Sequence, residues 1–174
     1  LEVLEQVKQP EFVALDTMNY WIDGTPEELK KVLSRVDVLV INDSEARQLS
    51  GEDNLVKAAR IIQGMGPDRV VVKRGEHGVL MTRPEGLFAV PGLPLERVCD
   101  PTGAGDTFAG GFVGFLAAAT KITDQVVNQA VIAGSVMASF AVEEFGLDRL
   151  LTLTDMEIKQ RFGEFKRLTH FDEP

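Results

Sequence analysis

Residues 100 to 117 read Asp100-Pro-Thr-Gly-Ala-Gly-Asp-Thr-Phe-Ala-Gly-Gly-Phe-Val-Gly-Phe-Leu-Ala117. The turn Thr102-Gly103-Ala104-Gly105 carries almost no side chain, so its backbone N–H groups can approach an anion closely. The apolar, small-residue run that follows predicts a helix beginning near Asp106. A helix start adds unpaired N–H groups and the positive end of the helix dipole, which favours a carboxylate at Asp106. An anion hole beside a fixed base is the arrangement that phosphoryl transfer to a hydroxyl needs.

Two commoner glycine-rich turns are excluded. A Walker A loop requires Lys-Ser/Thr after its last glycine, and the chain contains no such element. A dinucleotide fingerprint requires a third glycine where Phe108 stands. The remaining structural reading is a glycine turn that caps a helix and lets it pack closely on a sheet.

Working outward, the chain alternates strand-like and helix-like segments. Phe12–Asp16, Val36–Ile41 and Arg69–Lys73 are short apolar or β-branched runs of the kind found in buried parallel strands. Thr25-Pro-Glu-Glu28 predicts a capped helix through Leu33, with Thr25 and Glu28 as a capping box. Helices are expected at 44–49, ending at Gly51, and at 54–63, ending at Gly64. Arg83-Pro-Glu-Gly86 reads as the turn of a hairpin joining 78–82 to 87–90. Three helices follow, over about 106–119, 123–144 and 155–168, the last opened by a capping box from Thr154 to Glu157. This order implies an α/β fold with a mostly parallel sheet and helices on both faces. In such sheets ligands bind beyond the carboxyl ends of the strands.

The 174 residues suit one domain, and the net charge of −9 argues against nucleic acid and anionic membrane as partners. Cys99 is the single cysteine, which excludes an internal disulfide and fits a reducing cytoplasm. It is expected to be a small buried filler. Tyr20 and Trp21 are expected to pack rather than to line a pocket. No apolar run reaches transmembrane length.

The 100–117 segment resembles the C-terminal signature of the ribokinase-like (PfkB) carbohydrate and nucleoside kinases, and a weaker resemblance runs over most of the chain. It implies a three-layer α/β/α fold of which residues 1–174 are the C-terminal nucleotide-binding and catalytic part. The N-terminal part, which in that family supplies acceptor recognition and the lid, is expected to be missing. The chain also opens without methionine, as if partway through a helix. The resemblance implies a cytoplasmic, ATP- and Mg²⁺-dependent kinase acting on a sugar or nucleoside, and a homodimer formed through the lid.

Asp106 matches the catalytic base, and Gly103, Ala104 and Gly105 match the anion hole. Asn42 and Glu45 match an Asn-x-x-Glu element that helps to hold phosphate and Mg²⁺ through water; by spacing alone they fit an ordinary helix N-terminus better, and the resemblance reverses that preference. Lys73, Gly75 and Gly78 lie in a loop that in the family runs along ATP, and Ser135 falls where an Asn or His often lies near adenine. His77 reads as a plain loop residue. Asp100 and Thr102 match positions that in many members bind a monovalent cation such as K⁺. Leu150 stands where a small polar residue often closes that site, a departure that argues against potassium dependence.

Two other functions stay open at this point. A nucleotide-binding piece that phosphorylates nothing is compatible with the same motifs. A dinucleotide-dependent oxidoreductase is disfavoured by Phe108.

Overall fold

The computed structural model describes residues 2–172. Its chain separates into two compact units. One runs through Arg74 and includes Leu80–Ala89; the other comprises Gly75–Val79 and the residues from Val90 onward.

In the first unit, α1 (Glu2–Glu5), β1 (Ala14–Asp16), α2 (Asn19–Gly24), α3 (Pro26–Leu33), β2 (Val38–Asn42), α4 (Asp43–Ser50), α5 (Leu55–Gln63) and β3 (Arg69–Lys73) follow in order. With β4 (Val79–Thr82) and β5 (Leu87–Val90), the strands form one sheet in the order β1-β2-β3-β4-β5. β1 pairs with β2 and β2 with β3, both in parallel, with Asp16 opposite Val40 and Asn42 opposite Lys73. The short turn from β3 to β4 leaves no room for a crossover, so the chain returns antiparallel. The expected α/β architecture, a mostly parallel sheet with helices, is the one observed.

Strands buried on both faces need apolar residues at nearly every position, and β2 and β3 supply them. Leu39, Ile41, Val70 and Val72 join a core with Leu29 and Leu33 of α3 and Ala59 and Ile62 of α5. Val38, Val40 and Val71, which alternate with them, are no more than 1% exposed. Each such side chain contributes about 1.5–3 kcal/mol by leaving water. Arg60 of α5 donates to the carbonyls of Arg83 and Gly86 and so ties down the β4–β5 turn.

Three expectations fail locally. The Thr25–Glu28 box does not form: Thr25 is also the C-cap of α2, and its hydroxyl and N–H both turn back to the Trp21 carbonyl. Tyr20 and Trp21 sit on α2, packed edge-on against each other at 4.9 Å, and are 64% and 48% exposed rather than in the core. Cys99 is exposed too, because its segment follows the Val142 carbonyl through backbone hydrogen bonds and leaves the side chain outside.

The second unit holds a 3₁₀ turn (Gly75–His77), α6 (Ala104–Ala117), α7 (Asp124–Ala141), α8 (Asp148–Leu151) and α9 (Asp155–Thr169). α6 and α7 pack backbone to backbone. A Cβ on Gly134 would lie 2.7 Å from the Phe108 carbonyl, and one on Gly111 would lie 2.8 Å from the Met137 side chain. Phe108, Phe112 and Leu116 recur at i, i+4 and i+8, which buries one stripe of α6.

The expected capping box opens α9. Thr154 N–H donates to Glu157, whose N–H reaches back to the Thr154 hydroxyl. The Thr154 hydroxyl, first, and then Arg149 hold the Glu157 carboxyl down at about 2. Since its folded pKa lies below the unfolded one, its contribution to stability is complete above about pH 5 and disappears as pH falls toward 2. Acid unfolding monitored by circular dichroism is expected to show part of its loss in that window. Glu157→Gln should flatten that part of the profile.

Candidate anion and nucleotide site

Gly103 caps α6 in the left-handed conformation, with φ of 78°. That conformation lets the helix start at Ala104, two residues earlier than the pattern suggests, and places Asp106 inside the first turn. Ala104 N–H is occupied by the Pro101 carbonyl and Thr107 N–H by the Gly103 carbonyl. The N–H groups of Gly105 and Asp106 have no hydrogen-bond partner among the described residues. The expected amide cradle is therefore narrower than four residues, because Ala104 is spent on the turn. Asp106 is exposed, and its carboxylate has no hydrogen-bond partner among the described residues.

The turn ahead of the helix is set by Asp100. Its carboxylate accepts the Thr102 N–H at 3.0 Å. That amide most of all, then the Thr102 hydroxyl and to a smaller degree the Gly146 amide, hold its pKa below the usual carboxylate value. Leu150, half-buried, lies in α8. Ser135 is 8% exposed and its hydroxyl donates to the Val131 carbonyl one turn back on α7.

The 3₁₀ turn after β3 is wedged against the following chain. Gly78, with φ of 79°, has no room for a Cβ beside the Val90 carbonyl, and Gly92 has none beside the Glu76 carbonyl. Gly75, with φ of 55°, is open. His77 is exposed, as a loop residue would be.

The first unit presents its own polar groups at the carboxyl ends of the parallel strands. Asn42 and Glu45 form a capping box at the start of α4: Asn42 Oδ1 accepts Glu45 N–H at 2.8 Å, and Glu45 Oε2 accepts Asn42 N–H at 3.1 Å. Ser44 also donates to Asn42, at 2.7 Å. Lys73 Nζ lies 3.2 Å from Asp16 Oδ2, joining the ends of β3 and β1. Lys73 is thus neither a free cation nor simply solvated. Asp16 was not singled out from the sequence, since one acidic residue at a strand end shows no spacing signal.

These features define an α/β protein with an amide cradle, a free carboxylate in the same helical turn and polar groups at its strand ends. The model of the pfkB family carbohydrate kinases matches residues 3–152, and the chain belongs to that family. Over 88 residues it is 44% identical to the cytidine kinase of Thermococcus kodakarensis, covering 49% of this chain and 31% of that protein. The crystal structure of a ribokinase from Thermotoga maritima superposes with a TM-score of 0.76 at 25% identity, covering 94% of this chain and 52% of that one. A putative ribokinase II from E. coli, solved in complex with ATP and Mg²⁺, superposes with a TM-score of 0.71 at 25% identity, covering 87% and 48%. The chain thus spans about a third of the first protein and about half of the other two. No helix among the described residues is long and apolar enough to cross a membrane.

Proposed function

We propose that this chain carries the nucleotide and catalytic part of an ATP-dependent kinase that phosphorylates an alcohol of a sugar or nucleoside. The observation that supports it most is the start of α6, where two unpaired amides and an unpaired carboxylate share one helical turn. The Gly105 and Asp106 amides would stabilise charge on the transferring phosphoryl group. Asp106 would accept the hydroxyl proton. Mg²⁺ supplies charge neutralisation on the phosphates when bound, and Glu45 and Asn42 are the residues that would hold it, through water and through a phosphate oxygen respectively. Glu45 Oε1 remains available to accept from a Mg²⁺-bound water and Asn42 Nδ2 to donate to a phosphate oxygen, since the capping box uses only the other atoms. The 75–78 turn offers the nucleotide a fixed backbone. Ser135 would contribute shape rather than a hydroxyl, because that group is already engaged by its own helix. We give a monovalent cation no role: the Thr102 amide already engages Asp100, and Leu150 offers no polar ligand.

Lys73 would act through Asp16 rather than as a lone phosphate ligand. The acceptor, and any lid-mediated homodimer, belong to parts of such kinases that this chain does not match. The composition and single cysteine fit a cytoplasmic setting.

Calorimetric titration of ATP and ADP with Mg²⁺ tests the reading, with micromolar to millimolar binding expected. Absence of binding by the folded protein would remove it. Glu45→Gln keeps the capping box, which accepts Gln at that position, but loses the charge. Its thermal stability should stay near that of the parent, while the Mg²⁺ concentration for half-maximal activity should rise roughly tenfold or more, as for a lost outer-shell partner. An unchanged Mg²⁺ titration would return Glu45 to a purely capping role.

A further inference from the structure

At the end of α7, two guanidinium groups and a carboxylate enclose one buried ring. Phe140 is 1% exposed, and the guanidinium carbons of Arg161 and Arg149 stand 3.7 Å and 4.8 Å from its centroid. Glu143 accepts from Arg149 Nε at 2.9 Å and from Arg161 Nη1 at 2.6 Å. Arg149 Nη2 donates to Glu157 of α9 at 2.7 Å. Both arginine side chains are less than a fifth exposed, at 17% and 16%. Charges this far from water are costly when unpaired, so the cluster holds as a unit or loosens as one.

The Glu143–Arg149 bridge closes the loop between them, and Val142, next to Glu143, holds the segment ahead of α6 at two points. Val142 C=O accepts the N–H of Cys99 at 2.8 Å and of Asp100 at 3.4 Å. Gly146, inside that loop, is left-handed with φ of 61°, and its amide adds a little to what holds the Asp100 carboxyl below the usual range. Asp100 in turn holds Thr102, next to the Gly103 cap. A mere staple for α9 would need Arg161 on Glu143 and Arg149 on Glu157. It would not need Arg149 tied to Glu143 as well, beside the Val142 carbonyl that holds Cys99 and Asp100.

We propose that Glu143, Arg149 and Arg161 form a positioning clamp that fixes Cys99–Thr102 and, through them, the aim of the Gly105 and Asp106 amides. The functional half of this proposal rests on the phosphotransfer reading; the mechanical half does not.

The test is Arg149→Met in the full-length protein, with Arg149→Lys beside it. Met keeps much of the apolar stem over Phe140 and removes both ion pairs; Lys restores charge but not the fork. Amide hydrogen exchange without nucleotide should quicken about tenfold or more at 99–106, with α5 unchanged, the scale of a lost charge-assisted bond. The kcat should fall about tenfold or more while the KM for ATP stays within about threefold, since the amides act on the transition state. Lys should recover part of both effects. Exchange quickened only in α9, with 99–106 unchanged, would overturn the clamp. Should Arg149→Met fail to fold, Arg149→Lys supplies the same exchange comparison. A protein that binds no nucleotide yet shows faster exchange at 99–106 would leave the clamp standing and remove the kinase reading.

Discussion

Asn in place of Asp106 is expected to lower kcat of the full-length protein by about 10²–10⁴, the range for a lost general base. Affinity for ATP should change by less than about threefold. The substitution keeps the shape of the side chain and removes its ability to take a proton. An alcohol is a very weak acid, and an aspartate is a weak base, so the proton can move only as the new P–O bond forms. Placement therefore matters more than basicity, and the first turn of α6 supplies placement. The folding cost is small, because Asp106 is exposed and makes no side-chain hydrogen bond among the described residues. What remains is the favourable charge at the helix start, about 0.3–1 kcal/mol. Steady-state kinetics beside a urea titration separates the two. A loss of kcat under threefold, with the fold intact, would take the base role from Asp106.

Gly78→Ala is expected to be the costliest single methyl group that can be added to the 75–78 turn. Two independent penalties meet there. A left-handed residue other than glycine costs roughly 1–2 kcal/mol. The new Cβ would also run into the Val90 carbonyl, part of the backbone, which cannot rotate away. Overpacking of this kind typically adds about 1–3 kcal/mol. Gly75→Ala, at φ of 55° in open space, carries only the first penalty. Urea midpoints should fall for both variants, and distinctly further for Gly78→Ala. Equal shifts would mean that the wedge against residues 90–92 carries no energy.

Much of the fold is legible in the order of residues because β2, β3 and β4 are buried on both faces. Arg69–Lys73 coincides with its expected bounds, since apolar branched residues stop abruptly at charges on either side. The β4–β5 turn and the ends of α4 and α5 follow from glycine and proline in the same way. Short elements escape, because α2 and α8 are too brief to display a period. The start of α6 shifts because Gly103 alone takes the left-handed step, which frees Ala104 and Gly105 to be helical. The pfkB membership was legible from one segment, since a long motif constrains turn, cap and helix together.

The clamp around Phe140 was not legible. Glu143 lies just past α7, Arg149 in α8 and Arg161 in α9, with no spacing signal among them, and Glu157 shows in the sequence only as a capping-box residue. Only the fold brings them onto one ring. Lys73 shows the converse: placed by the resemblance in a loop along ATP, it proves to be paired with Asp16 from two strands away.

The crossing of α6 and α7 bears on what happens when charge moves. Gly111 and Gly134 let the helices touch through backbone and ring edges, where there are few rotamers to rearrange. The amides at the head of α6 are thus anchored to a stiff pair of helices. Water around a developing negative charge must reorient to solvate it; amides held this way are already turned. In the proposed phosphoryl transfer, the reorganisation that solvent would otherwise have to supply would be completed in advance, by folding.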